Sequence, residues 1–194
     1  MSQCAASLSA RECAGATAAP AGDLMAVVSQ YQGPLLRYVG RMLGCVNDQR
    51  EDVVQETFIR LHRQVSTHGW DSIKRLTPWL FQVAHNLTLD ALRRKVRRKD
   101  ADPVSTDPAV ASEPTAEEMD VLGEAIRKEA RQVVLRELAQ LDDTYRQVVL
   151  LKVVQGMSLR EVAEVVGVSL STVNYRLNEG LGILARRLRK AGVV

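Results

Sequence analysis

Two stretches of this 194-residue chain carry side chains that could do chemistry, and in both the chemistry is non-covalent binding. Between Asn86 and Lys99 stand Arg93, Arg94, Lys95, Arg97, Arg98 and Lys99, against a single acid, Asp90. Guanidinium and ammonium groups at that density neutralise phosphates. Cations near a helix C-terminus also complement its macrodipole, which accounts for one or two of the six but not for the cluster. Later, GMSLREVAEVVGVSLSTVNYRL brings together Ser171, Thr172, Asn174, Tyr175 and Arg176, side chains that hydrogen-bond base edges or phosphate oxygens. Covalent chemistry has no such support. There is no Ser/His/Asp arrangement and no phosphate-cradling glycine loop, and Cys4, Cys13 and Cys45 share no metal-ligand spacing with His62, His68 and His85. The expected protein is not an enzyme, has no cofactor, metal or small-molecule substrate, and works by binding.

The elements that must position these residues are helices. Hydrophobic residues make up 46% of the chain and aromatics only 4%, so the core is built from Leu, Val and Ala, which favours packed helices over a β-sandwich. Even the VVLLKVV stretch is broken by Lys152, and no apolar run reaches the length of a membrane span. The first residues, MSQCAASLSARECAGATAAPAG, lack a basic segment followed by a compact apolar one, so 1–23 reads as a flexible tail rather than a secretory signal. The expected compartment is the cytoplasm. A net charge of +3 hides a reversal: from Ala101 to Glu124 there are seven acids and no base, together with Pro103, Pro108 and Pro114. That stretch predicts a linker over 101–119 between domains at 24–100 and 120–194.

Asp48 and Glu51 have the spacing of a capping box, and Val54, Phe58, Leu61 and Val65 then recur on one helical face. The opposite face carries Glu51, Asp52, Gln55, Glu56 and Arg60. Pro78 is placed to open a second helix at its first position, with Leu80, Val83, Ala84, Leu87 and Leu92 forming a stripe that leads to the basic cluster. In the second domain, Val133, Val134, Leu138 and Leu141 predict one helix and Tyr145 to Val154 another, with Val148, Val149, Leu151 and Val153 buried. Ser158 and Glu161 cap a short helix, Gly167 ends it, Ser169 caps the next, and Val173, Leu177, Leu181, Leu184 and Leu188 give that one its apolar stripe. This is the punctuation of a helix-turn-helix.

With these residues in view, the second block, 120–194, resembles region 4 of bacterial RNA polymerase sigma factors. DVVQETFIRLHRQ with TPWLFQVAHNLTLDALRRKVRR is similar to their region 2. The ordered pair with a short linker resembles the extracytoplasmic-function (ECF) sigma factors. The resemblance implies two small all-α domains, one region 2-like bundle and one region 4-like helix-turn-helix. It also implies a role in which the chain joins core RNA polymerase, through the beta-prime and beta subunits, and brings it to promoter DNA.

By the same resemblance Asp52, Gln55 and Glu56 dock on the beta-prime coiled coil, and Trp79 and Leu80 are core. Asn86 lies near the loop that captures an unstacked base of the −10 element, Asp90 and Arg93 follow on the next helix, and Arg94, Arg97 and Arg98 hold strand phosphates. Ser171, Thr172, Asn174, Tyr175 and Arg176 contact the −35 element. Asn178 and Glu179 stand where many relatives continue with basic residues. An anti-sigma factor, membrane-bound in some cases, is the further partner the resemblance implies. The alternative is a stand-alone helix-turn-helix regulator bound to an operator.

Overall fold

The computed structural model describes residues 23–44, 48–101 and 121–193. Every regular element among them is helical: α1 (Leu24–Leu43), α2 (Asp48–His68), a 3-10 turn (Trp70–Ser72), α3 (Leu76–Ala101), α4 (Val121–Ala139), α5 (Asp143–Val149) continuing into a π turn (Leu150–Val154), α6 (Leu159–Val166) and α7 (Leu170–Lys190). Cys4, Cys13, Cys45 and residues 102–119 of the expected linker lie outside the described residues.

The first bundle packs α1, α2 and α3 against one another. Sequence reading missed α1, because Gly33 and Pro34 look like a break. Yet Val27, Tyr31, Leu35, Tyr38, Val39 and Met42 are all buried at helical spacing, and the Asp23 carboxylate caps the helix by accepting from Met25 N at 2.9 Å. Burying each such side chain contributes about 1.5–3 kcal/mol, enough to outweigh an interior proline. α3 begins at Leu76, two residues ahead of Pro78, and its first bond runs from Trp79 N to the Arg75 carbonyl. Pro78 thus sits third in the first turn rather than first. It is tolerated there because those amides have no intrahelical partner.

The second bundle packs α4, α5 and α6 around α7. The punctuation expected of α6 and α7 is present in full. Ser158 and Glu161 form a reciprocal capping box, Gly167 takes a left-handed φ of 71°, and the Ser169 side chain caps α7 by accepting from Thr172 N. The stripes are less complete than expected. Val173, Leu184 and Leu188 are buried, but Leu181 is exposed, and so is Val153, because the π turn rotates the end of that segment outward. Gly180 is required by close packing: a Cβ there would lie 3.1 Å from Val149 Cγ2 and 3.2 Å from Tyr145 Cβ.

The two bundles touch, α6 against α3 and α5 against α1. The polar contacts between them join distant parts of the sequence. Arg75 bonds Glu161 and Glu164, Gln82 donates to the Glu164 carbonyl, Arg146 to the Met42 carbonyl, and Gln155 to the Pro34 carbonyl.

Candidate nucleic-acid interface

α3 is 26 residues long, and its burial divides along its length. Leu80, Phe81, Ala84, His85 and Thr88 are buried against α1 and α2, while Asn86, Asp90, Arg93, Arg94 and Arg97 are exposed. Asn86, Asp90 and Arg93 therefore ride on one continuous helix, which corrects the expectation of Asp90 and Arg93 on a helix after Asn86's. Arg98 is on the same helix, but its side chain lies outside the described residues. Asp90 accepts from Arg93 Nη1 at 3.1 Å, an exposed pair one turn apart that orders one guanidinium at little energetic gain. Trp79 is half-buried and Leu80 fully buried, as core residues should be.

Beneath this helix the core holds a polar pair. The Tyr38 hydroxyl and His85 Nδ1 lie 2.9 Å apart, and the Tyr38 and Phe81 rings meet edge to face at 5.6 Å. Burial pushes the Tyr38 phenol above its ordinary range and brings His85 down to about 4, so both are neutral at physiological pH. Among the described residues no group of His, Cys, Asp or Glu is arranged to hold a metal ion.

On α7 the five expected −35 residues divide between two faces. Ser171, Asn174 and Tyr175 are exposed, and Tyr175 stands out at 61% exposure. Thr172 and Arg176 are half-buried. The Thr172 hydroxyl is tied to Ser169 Oγ at 2.7 Å as part of the cap. Arg176 lies near enough to Asp142, the N-cap of α5, to attract its carboxylate. The Asp142 carboxyl is held below the usual carboxylate range, first by hydrogen bonds from Thr144 and then by attraction to Arg146 and Arg176. Asn178 and Glu179 are exposed beyond the outward set, and Arg186, Arg189 and Lys190 are exposed at the far end.

On α2, Val53, Val54, Thr57 and Leu61 are buried, which turns Asp52 and Gln55 outward. Glu56 is half-buried, its carboxylate accepting from Arg60 Nε at 2.9 Å. Ile59 is 45% exposed among these polar neighbours. Sequence reading passed over it, since a lone isoleucine in an amphipathic helix reads as core.

The family model for Sigma-70 region 2 matches residues 27–98, and that for Sigma-70 region 4 matches residues 131–184. ECF RNA polymerase sigma factor SigW of Bacillus subtilis is 30% identical over 166 residues, covering 84% of this chain and 87% of the relative. The chain belongs to the ECF RNA polymerase sigma factors. SigL of Mycobacterium tuberculosis, also an ECF sigma factor, is 30% identical over 179 residues, 92% of this chain and 96% of its own. The fold agrees. The sigma factor RpoE of Bartonella quintana, solved with the anti-sigma factor NepR, superposes with a TM-score of 0.69 at 20% identity, covering 86% of this chain and 97% of that one. CnrH, solved with the cytosolic domain of CnrY, gives 0.57 at 23% identity, covering 87% and 91%.

This sigma factor also carries polar residues that sequence reading did not single out. Arg75 and Gln82 lie along α3 ahead of Asn86, and both meet α6. Arg146, only 11% exposed, pairs with Asp143 and reaches the C-terminal end of α1. Their partners are up to 104 residues away, so no local pattern announces them.

Proposed function

We propose that this ECF sigma factor acts through three separate faces, each on its own helix. The outward face of α2, with Asp52, Gln55 and Glu56, docks on the beta-prime coiled coil of core RNA polymerase, and Ile59 adds an apolar contact among them. Acidic groups suit a basic partner by charge complementarity, which speeds encounter and sets register. The exposed row Asn86, Asp90, Arg93, Arg94 and Arg97 on α3, with Arg98 next to them in the sequence, takes the opened −10 strand. An amide pairs with a base edge only once the base has left the stack, whereas guanidiniums hold phosphates without reading sequence. The start of α7, with Ser171, Asn174 and Tyr175 outermost and Thr172 and Arg176 beside them, enters the major groove at the −35 element. The division into a 24–100 and a 120–194 domain belongs to the same reading.

The observation that carries this reading is the row on α3: five polar side chains exposed along one helix, running on from the segment that packs against α1 and α2. The chain itself performs no covalent step and operates in the cytoplasm, where core polymerase is found. No helix among the described residues is long and apolar enough to cross a membrane, which suits that setting. An anti-sigma factor holding the chain inactive fits the reading too, since RpoE of Bartonella quintana, a chain of the same fold, is bound to one. Two modest DNA contacts joined on one polymerase scaffold gain affinity by effective concentration, so the isolated chain is expected to bind duplex promoter weakly.

The test is co-elution with core RNA polymerase at moderate salt, wild type against the Asp52→Ala, Gln55→Ala, Glu56→Ala triple variant. Wild-type association lost in the triple variant is the expected result. A folded wild type that ignores the polymerase yet binds duplex DNA tightly overturns it in favour of an operator-binding regulator.

A further inference from the structure

We propose that Arg75 is a strand-phosphate site, covered in the closed chain by the carboxylates of Glu161 and Glu164, and that DNA uncovers it by displacing α6. The inference rests on the reading of α3 as the face that takes the −10 strand.

Arg75 stands at the N-cap position of α3, its carbonyl accepting from Trp79 N at 3.3 Å. Gln82 is seven residues on, and Asn86, Arg93 and Arg97 follow at steps of four, seven and four, all close to one side of the helix. The exposed row thus continues backwards from Asn86, by about 16 Å of helix axis, to Arg75. α6 lies over this first part, at Arg75 and Gln82. Arg75 Nη2 meets Glu161 Oε1 at 2.6 Å, Arg75 Nη1 meets Glu164 Oε2 at 3.1 Å, and Gln82 Nε2 donates to the Glu164 carbonyl at 3.3 Å. From Asn86 onward the row is open.

A guanidinium offers the same fork of N–H donors to a carboxylate and to a phosphate. The two glutamates therefore occupy Arg75 as strand oxygens would. Their hold is exchangeable: Arg75 and Glu164 are each 47% exposed, and exposed ion pairs are individually weak and screened by salt. A strand already held at Arg93 and Arg97 presents its next phosphates at high effective concentration, which favours exchange.

The cover is built to come away intact. Glu161 also accepts from Ser158 N at 2.8 Å, the capping contact of its own helix, and that bond does not depend on Arg75. Losing the guanidinium leaves α6 capped. Capture of the strand by α3 is thereby linked to release of the helix-turn-helix half.

The test uses the full chain and a mixed-sequence single-stranded DNA, with anisotropy followed across a salt series at low ionic strength. The variants are Glu161→Gln with Glu164→Gln, Arg75→Gln, all three together, and Arg93→Gln with Arg97→Gln as a reference. Glutamine at 161 keeps the capping box. The expected result is that the double glutamate variant binds several-fold tighter, with a salt slope steeper by about 0.7, one further phosphate. Adding Arg75→Gln should abolish that gain, whereas Arg75→Gln alone should change wild-type binding little. No gain, or a gain that survives Arg75→Gln and so reflects only two lost negative charges, overturns the proposal. If Arg93→Gln with Arg97→Gln weakens binding in that case, the cover alone fails. If it leaves binding intact, the reading of α3 fails and the proposal with it.

Discussion

α3 and α7 are both long helices that carry the proposed DNA contacts, yet they offer DNA opposite chemistries. α3 presents its charges on the half that follows its packed segment, with Arg93, Arg94 and Arg97 exposed and Arg93 paired to Asp90. α7 presents neutral Ser171, Asn174 and Tyr175 in its first two turns, immediately after a cap, on a helix seated by Val173, Leu184 and Leu188. Charge on one helix supplies affinity without sequence, and fixed geometry on the other supplies discrimination without much affinity. A sigma factor that must both melt and read a promoter benefits from separating the two.

The largest expected effect tests that division directly. Replacing Arg93, Arg94 and Arg97 by glutamine should flatten the salt dependence of single-strand binding by about 2 in the log-log slope, at about 0.7 per lost phosphate. Replacing Ser171, Asn174 and Tyr175 by alanine should leave that slope unchanged while lowering −35-dependent promoter binding by the holoenzyme. Equal slopes for both variants would break the comparison.

Gly180 sharpens the α7 side. Valine there drives a branched side chain into Val149 and Tyr145, already 3.1–3.2 Å from where its Cβ would sit. Overpacking of this kind costs about 1–3 kcal/mol, so thermal unfolding should fall by several degrees. Because the fault lies where α7 meets α5, recognition by α7 should suffer while single-strand binding by α3 does not.

Acid should act on the α3 side instead. His85 has its folded pKa lowered to about 4 by burial, against an unfolded value near 6.5. The unfolded chain therefore takes up the proton first. Stability from the neutral imidazole is whole above pH about 6.5 and is lost as pH falls towards 4, with about 2 kcal/mol gone at pH 5. Denaturation midpoints at pH 7 and pH 5 should differ accordingly, and His85→Gln should remove most of the difference. A wild type as stable at pH 5 as at pH 7 would show that His85 is not held neutral by its burial.

How much of this was legible in the sequence follows from how local each cause is. The capping box at Ser158 and Glu161, the left-handed Gly167 and the Ser169 cap are decided within a few residues, and each is where its spacing placed it. The basic cluster was equally plain, since charge density needs no partner. α1 was not, because local breakers at Gly33 and Pro34 were outweighed by a core assembled from α2 and α3. The half-buried position of Arg176 depends on where α5 begins, and the Arg75 contacts on a helix 86 residues away. Those facts belong to tertiary packing, and single-sequence periodicity has no access to them.

The smallest effect separates capping from recognition within the helix-turn-helix. Ser158→Ala and Ser169→Ala each remove one N-cap, at a cost of about 1 kcal/mol. Their consequences for DNA should differ. Ser158 caps α6, whose residues are not among the proposed −35 contacts, so its loss should lower stability alone. Ser169 Oγ also lies 2.9 Å from Ser171 Oγ and 2.7 Å from Thr172 Oγ1, and so orients two hydroxyls at the entry of the recognition helix. Ser169→Ala should match Ser158→Ala in unfolding midpoint yet weaken −35-dependent binding more. If the two variants bind alike, the hydroxyl network at the start of α7 serves only to hold the helix, and discrimination rests on Asn174 and Tyr175.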